Sequence, residues 1–261
     1  MKHAWIGTAI ISFLAVDSAH GTTPDHSAFD ELLHRYVHDS RVDYHGLAAE
    51  RPQLIGYLDS LGGIDAVGLE RDDRMALFIN AYNAATLLLI VEHDSPALAS
   101  IKDIPSSKRW KDRRWRVAGA TYSLDDLEHK VLRPEFRDPR VHTAINCASV
   151  GCPDLRAEAY LGTSLSEQLD EQAARFVNDP RHVQIKGKTL RVSSIFKWFA
   201  EDFRTDEGSV RGFILRYAAD ELRRRIESLG PQPRIKYLKY DWSLNRYDTK
   251  RNQIGDSKGQ P

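Results

Sequence analysis

Asp73-Arg-Met-Ala-Leu-Phe-Ile-Asn-Ala-Tyr-Asn-Ala-Ala-Thr-Leu-Leu-Leu-Ile-Val-Glu92 decides the fold class. Met75, Leu77, Phe78, Ile79, Tyr82 and Leu87 through Val91 surround most of the circumference of a helix over 73–92. A helix apolar nearly all round must be covered on several sides. Two amides interrupt it. Asn80 and Asn83 stand three apart and so share a face. Asparagine is a mediocre helix former, and a buried amide costs free energy unless it is hydrogen-bonded. The pair therefore predicts inward-facing side chains that either tie loops to the core or orient a reacting group.

Outward from this helix the elements are short and mixed. Residues 26–38 predict a helix, with Phe29, Leu32, Leu33, Tyr36 and Val37 on one face. Gln53–Leu61 predicts another, stopped at Gly62-Gly63. Trp115–Val117 and Thr121-Tyr122 read as a hairpin around Ala118-Gly119-Ala120. Ser123-Leu-Asp-Asp126 and Ser164-Leu-Ser-Glu167 both read as capping boxes. The first opens a helix to about Leu132, ending before Pro134; the second opens one to about Val177. Arg140–Asn146 alternates apolar and polar residues and predicts a strand with His142 and Asn146 on one face. A hairpin at 183–192 turns at Gly187. Helices over 195–203 and 210–229 and a strand over 234–240 complete the chain. The class expected is α+β: a helix-rich single domain with a small, mainly antiparallel sheet packed on the central apolar helix.

The ends read differently. Residues 1–21 combine a basic start, an apolar run from Ala4 to Val16 and small residues at Ala19 and Gly21. This is the layout of a secretory signal peptide cleaved after Gly21, and the run is short for a membrane span of about 20 residues. An uncleaved anchor is the alternative. The globular domain is expected over 22–248, and the polar tail 249–261 is expected to be disordered. Localisation is accordingly periplasmic or secreted, with no integral membrane segment after signal removal. Lys plus Arg and Asp plus Glu both total 37, giving a formal net charge of zero. That balance lacks the basic excess typical of nucleic-acid-binding surfaces, so no nucleic-acid partner is expected.

Chemistry concentrates in His142-Thr-Ala-Ile-Asn-Cys147-Ala-Ser-Val-Gly-Cys152-Pro153, which holds both cysteines of the chain. Two readings stand. In an oxidising compartment Cys147 and Cys152 can form a structural disulfide. Alternatively Cys147 is a thiolate nucleophile activated by a nearby base. In the second reading His142 or His129 is the base, Glu128 or Asn80 the orienter, and the N–H groups near Ser149–Gly151 the oxyanion donors. Asn83, Asn146, Ser149 and Trp110 are the candidate substrate-binding residues. Adjacent helical residues point about 100° apart, so Glu128 and His129 cannot both serve one metal ion. No zinc-type spacing is present, and neither a metal nor a cofactor is expected.

Phe78–Ala84, Ser123–His129, Arg140–Leu155, Phe196–Phe203 and Tyr240–Asn245 together resemble domain of unknown function family 547. The resemblance spans roughly residues 70–245. It matches Asn80, Asn83, Glu128, His129, His142, Asn146, Cys147, Cys152 and Pro153. It implies an exported bacterial protein and no particular reaction. The residue types point to a thiol-dependent hydrolase or acyl transferase acting on an acyl or amide bond of a small or peptide-like substrate. The alternative is a non-catalytic periplasmic binding or envelope protein carrying the Cys147–Cys152 bridge.

Overall fold

The computed structural model describes residues 23–247, apart from the side chains of residues 205–207. The signal segment, its cleavage point and the tail from 249 lie outside the described residues. Helix α1 (Ser27–Tyr36) runs into the two-residue strands β1 (Val37–His38) and β2 (Arg41–Val42). Helices α2 (Tyr44–Ala49) and α3 (Arg51–Leu61) follow, then α4 (Arg71–Glu92). Asp72 and Asp73 lie in the first turn of α4, where carboxylates favour the positive end of the helix. Every residue from Met75 to Val91 is buried.

This helix is long and apolar enough to cross a membrane, but 94% of its apolar window is buried inside the chain. Its covering is mostly helical. α2, α3, the segment after residue 124 and a helix near residue 165 all pack on it, together with one strand of the 115–122 hairpin. Helices supply most of the cover and a strand of the small 115–122 hairpin adds to it, since the strands are too short to cover so wide a surface alone. Removing a core leucine from α4 would cost about 2–5 kcal/mol.

After a short helix α5 (Ser106–Arg109), strands β3 (Trp115–Val117) and β4 (Ala120–Tyr122) form the expected hairpin. Ser123 caps α6 (Leu124–Asp126): Asp126 N–H donates to Ser123 Oγ at 3.0 Å, and Ser123 N–H donates to Asp126 Oδ2 at 3.1 Å. The helix does not stop before Pro134. It continues as a π-helix, Leu127–Phe136, and ends at Arg137, whose φ of +50° is left-handed. The wider winding carries the chain past the missing proline donor. Such windings are frequent at functional sites.

The expected strand over 140–146 is a helical turn, α7 (Val141–Ala144). Asp138-Pro139 starts it: Asp138 Oδ1 accepts from Arg140 N–H at 2.9 Å, and Ile145 N–H closes on Val141 O at 3.1 Å. All four α7 side chains are buried, so the apolar–polar alternation marks no solvent face.

Helix α8 (Leu165–Asn178) lacks its expected capping box, since Ser164 makes no side-chain cap bond. It links two hydrophobic clusters. Leu165 and Leu169 pack with α4, while Ala173, Phe176 and Val177 belong to a second core. Strands β5 (Val183–Lys186) and β6 (Thr189–Val192) pair antiparallel around Gly187, at φ +58°. Helices α9 (Ile195–Trp198), α10 (Ala200–Glu207), α11 (Val210–Tyr217) and α12 (Asp220–Glu227) follow. The breaks at Phe199 and Ala218-Ala219 divide the two longer helices expected there. Strand β7 (Arg234–Tyr237) joins β6 in parallel. The class is α+β and helix-rich, with small sheets and a central apolar helix.

Candidate active site

A cavity of about 200 Å³ lies between the two cores. Its wall carries Cys147, Cys152, Glu128, His129, His142 and Trp110, all expected from sequence, together with Asp125, Tyr82, Trp198, Phe199, Tyr240 and Trp242. The π-helix supplies both Glu128 and His129. α7 supplies His142, the loop behind it both thiols, and the segments around α9 and residue 240 the aromatic wall.

The loop bearing Cys147 is fixed by side-chain amides. Asn83 Oδ1 accepts from Asn146 N–H at 2.9 Å, and its Nδ2 donates to Ala144 O at 3.1 Å. Asn146 Oδ1 accepts from Ala148 N–H at 2.8 Å, and its Nδ2 donates to Pro153 O at 2.7 Å. Between them Ala148 takes φ +60°, a left-handed conformation unusual for a residue with a side chain. Strain of this kind concentrates at functional sites. Asn83 and Asn146 thus position the thiol loop rather than line the cavity. Asn80 lies elsewhere. It donates to Tyr160 O at 2.8 Å and accepts from Tyr160 N–H at 2.9 Å, so it holds the chain around Tyr160 and does not join the site. The two asparagines share a helix face but serve different backbone segments.

Cys147 and Cys152 are both free thiols. Cys147 N–H donates to Cys152 Sγ at 2.9 Å. Cys147 Sγ lies 3.0 Å from Ser149 Oγ and 3.1 Å from the Tyr240 hydroxyl. The contact with Cys152, then these two hydroxyls, pull the Cys147 thiol below its ordinary pKa against the effect of burial. Burial, and then the neighbouring Cys147, push Cys152 the other way. The pair therefore concentrates thiolate character on Cys147.

Neither imidazole hydrogen-bonds to that sulfur. His142 is buried and stacks on Phe199 with ring centroids 3.9 Å apart. Its Nε2 lies 2.7 Å from Asp202 Oδ2. Burial lowers the His142 pKa despite Asp202, so the neutral ring donates from Nε2 and leaves Nδ1 as acceptor. That Nδ1 is 3.9 Å from Glu128 Oε1. Asp202 is gripped at 2.6 and 3.1 Å by Arg133. Although burial opposes ionisation, bonds from His142 and Arg133 hold its carboxyl well below the usual range. Arg133 also donates to His129 Nδ1 at 3.0 Å. Burial and then Arg133 lower the His129 pKa, which leaves its imidazole neutral.

Glu128 is the unusual group. Burial first, and the Cys147 sulfur second, push its carboxyl up to about 8. At neutral pH it is a carboxylic acid beside a thiol. Two of the expected oxyanion donors are engaged elsewhere, Val150 N–H with Ser243 O and Gly151 N–H with Asp241 O, each at 2.8 Å, whereas Ser149 N–H acts on the Cys147 sulfur. A Cβ at Gly151 would stand 2.9 Å from Asp241 N and O, which shows how closely these segments are laid together. Ser149, through its N–H and hydroxyl, and the Tyr240 hydroxyl are the donors beside the sulfur. No group of three His, Cys, Asp or Glu side chains among the described residues could hold a metal ion.

Asp202, Phe199, Tyr240 and Trp242 were not among the residues expected at the site. Their signal was present in the long motifs Phe196–Phe203 and Tyr240–Asn245, which pack polar and aromatic residues more densely than a core needs.

Residues 67–177 match the model of the family described as "Protein of unknown function, DUF547". The matched segment includes Glu128, His142 and both cysteines, while Asp202 and Tyr240 lie beyond it. No curated protein and no solved structure matches the chain.

Proposed function

We propose that this chain, a member of the DUF547 family through residues 67–177, is an exported thiol-dependent enzyme acting on an acyl or amide bond. The observation that carries this reading is the Cys147 thiol, pulled toward thiolate and placed in one cavity wall with the neutral acid Glu128. Cys147 Sγ attacks the carbonyl carbon and forms a thioester. Glu128 delivers its proton to the departing amine or alcohol, as a general acid whose pKa lies near the working pH. The Glu128 carboxylate then takes a proton from the water or amine that cleaves the thioester, restoring the acid while the sulfur departs as the Cys147 thiolate. The Tyr240 hydroxyl is placed to donate to the developing oxyanion.

His142 and Asp202 are positioning residues in this scheme. Asp202 fixes the tautomer that turns the acceptor Nδ1 toward Glu128, so the proton relay runs through the carboxyl rather than by direct thiol–imidazole contact. Export is supported by the layout of residues 1–21, and the substrate is accordingly placed in the periplasm or outside the cell.

Iodoacetamide labelling of the native chain, mapped by peptide mass spectrometry across pH 5–9, tests the nucleophile. Cys147 should react at neutral pH faster than a free cysteine peptide, and Cys152 should remain protected. Labelling of Cys147 only after unfolding, or a native Cys147–Cys152 bridge in the exported protein, would end the proposal.

A further inference from the structure

We infer that the cavity selects substrates that carry an ammonium group close to the scissile bond, with Asp125 as the counter-charge. This rests on the reading of the cavity as a substrate site. Three features of its wall support it. Six aromatic residues surround the space, and Trp198, Tyr240 and Trp242 cluster with ring centroids 4.5–6.0 Å apart. No Lys or Arg lines it, and both of its imidazoles are held neutral. Asp125 stands in the wall, part-exposed, with no ion pair among the described residues. An aromatic enclosure with an unpaired carboxylate attracts cations through the negative ring faces as well as through charge.

The rings already show this affinity: Lys102 Nζ lies 3.9 Å from the Trp242 centroid, and the Arg133 guanidinium 5.1 Å from that of Phe199. Neither cation opposes a ligand strongly. Lys102 is exposed and screened, and Arg133 is neutralised by Asp202. The Tyr240 hydroxyl touches Cys147 Sγ, so a cation resting on the aromatic cluster lies next to the attacking sulfur. At about 200 Å³ the cavity admits a side-chain-sized group.

The test uses Cys147→Ser protein, so that binding is read without turnover. Acetyl-lysine methylamide, with its free side-chain amine, is compared with its uncharged norleucine counterpart by tryptophan fluorescence and calorimetry at low ionic strength and neutral pH. The lysine probe should bind roughly tenfold or more tightly than the norleucine probe, as expected for a cation enclosed by rings and a carboxylate. Asp125→Asn, checked for unchanged melting, should lower that ratio severalfold, the ring faces supplying what remains. Equal binding of the two probes, binding of neither, or a ratio unchanged by Asp125→Asn would overturn the inference. The outcome is independent of thiol reactivity. A cation preference in a protein whose Cys147 resists labelling would leave an amine-binding site and remove the enzyme.

Discussion

Replacing Glu128 by glutamine should stabilise the protein, and increasingly so as pH rises. The Glu128 carboxyl keeps its proton to about pH 8 in the folded chain, against an ordinary value of 4.5. Between these limits the unfolded chain has lost the proton and the folded chain has not. The folded state then binds more protons, so stability falls as pH rises through that window. Over 3.5 pH units, at about 1.36 kcal/mol each, the loss approaches 4–5 kcal/mol as a ceiling. Glutamine has a similar shape and carries no such penalty. The stability gap between Glu128→Gln and the parent should be near zero below pH 4.5 and widen to at least about 2 kcal/mol by pH 8.5. For a domain of this size that is roughly 4–8 °C in melting temperature. Urea unfolding of both proteins at several pH values measures it. Because Cys147 is the second cause of the raised pKa, the gap should shrink in a Cys147→Ser background. A gap that stays constant from pH 5 to 8.5 would refute the buried, neutral acid and, with it, the proton donor of the mechanism.

Other substitutions separate support from chemistry. Asn80→Leu and Asn83→Leu should each cost about 1–3 kcal/mol in melts, because buried backbone partners are left unsatisfied. Asn83→Leu should also slow Cys147 labelling, since only it loosens the thiol loop. Cys152→Ala should raise the pH at which Cys147 labels, because the Cys152 contact is the largest cause of its lowered pKa; a pH–rate profile reads this directly. Asp202, held below its ordinary value by His142 and Arg133, contributes stability that is present above about pH 4 and lost as pH falls through its folded pKa. The parent should therefore exceed Asp202→Asn in stability at neutral pH, and the difference should close in acid.

The apolar helix and most element types were legible because their periodicity is long or their turn chemistry specific. Burial of Asn80 and Asn83 followed from the cost of unpaired amides. The segment 140–146 misled because periodicity reports a face only where one side meets water, and α7 is buried all round. The π winding through Pro134 had no local signal, since it is set by packing on α4. Cys147, His142, Glu128, His129 and Trp110 stand out by residue type and line one cavity. Asn80 stands out on the same ground but holds Tyr160 instead, because sharing a helix face with Asn83 says nothing about what lies opposite. Asp202 and Tyr240 needed the second core, which brings residues 60 and 93 positions away from His142 and Cys147 into hydrogen-bond contact. No window of sequence contains that pairing.

The central claim is that Cys147 forms a thioester while Glu128 acts as the acid. Intact-mass analysis after brief exposure of the native protein to p-nitrophenyl acetate at pH 7, followed by acid quench, tests it most directly. The account predicts a gain of a single acetyl group on Cys147, absent in Cys147→Ser and persisting longer in Glu128→Gln, where the water-activating carboxylate is gone. Acetylation spread over lysines with Cys147 unmodified would contradict it.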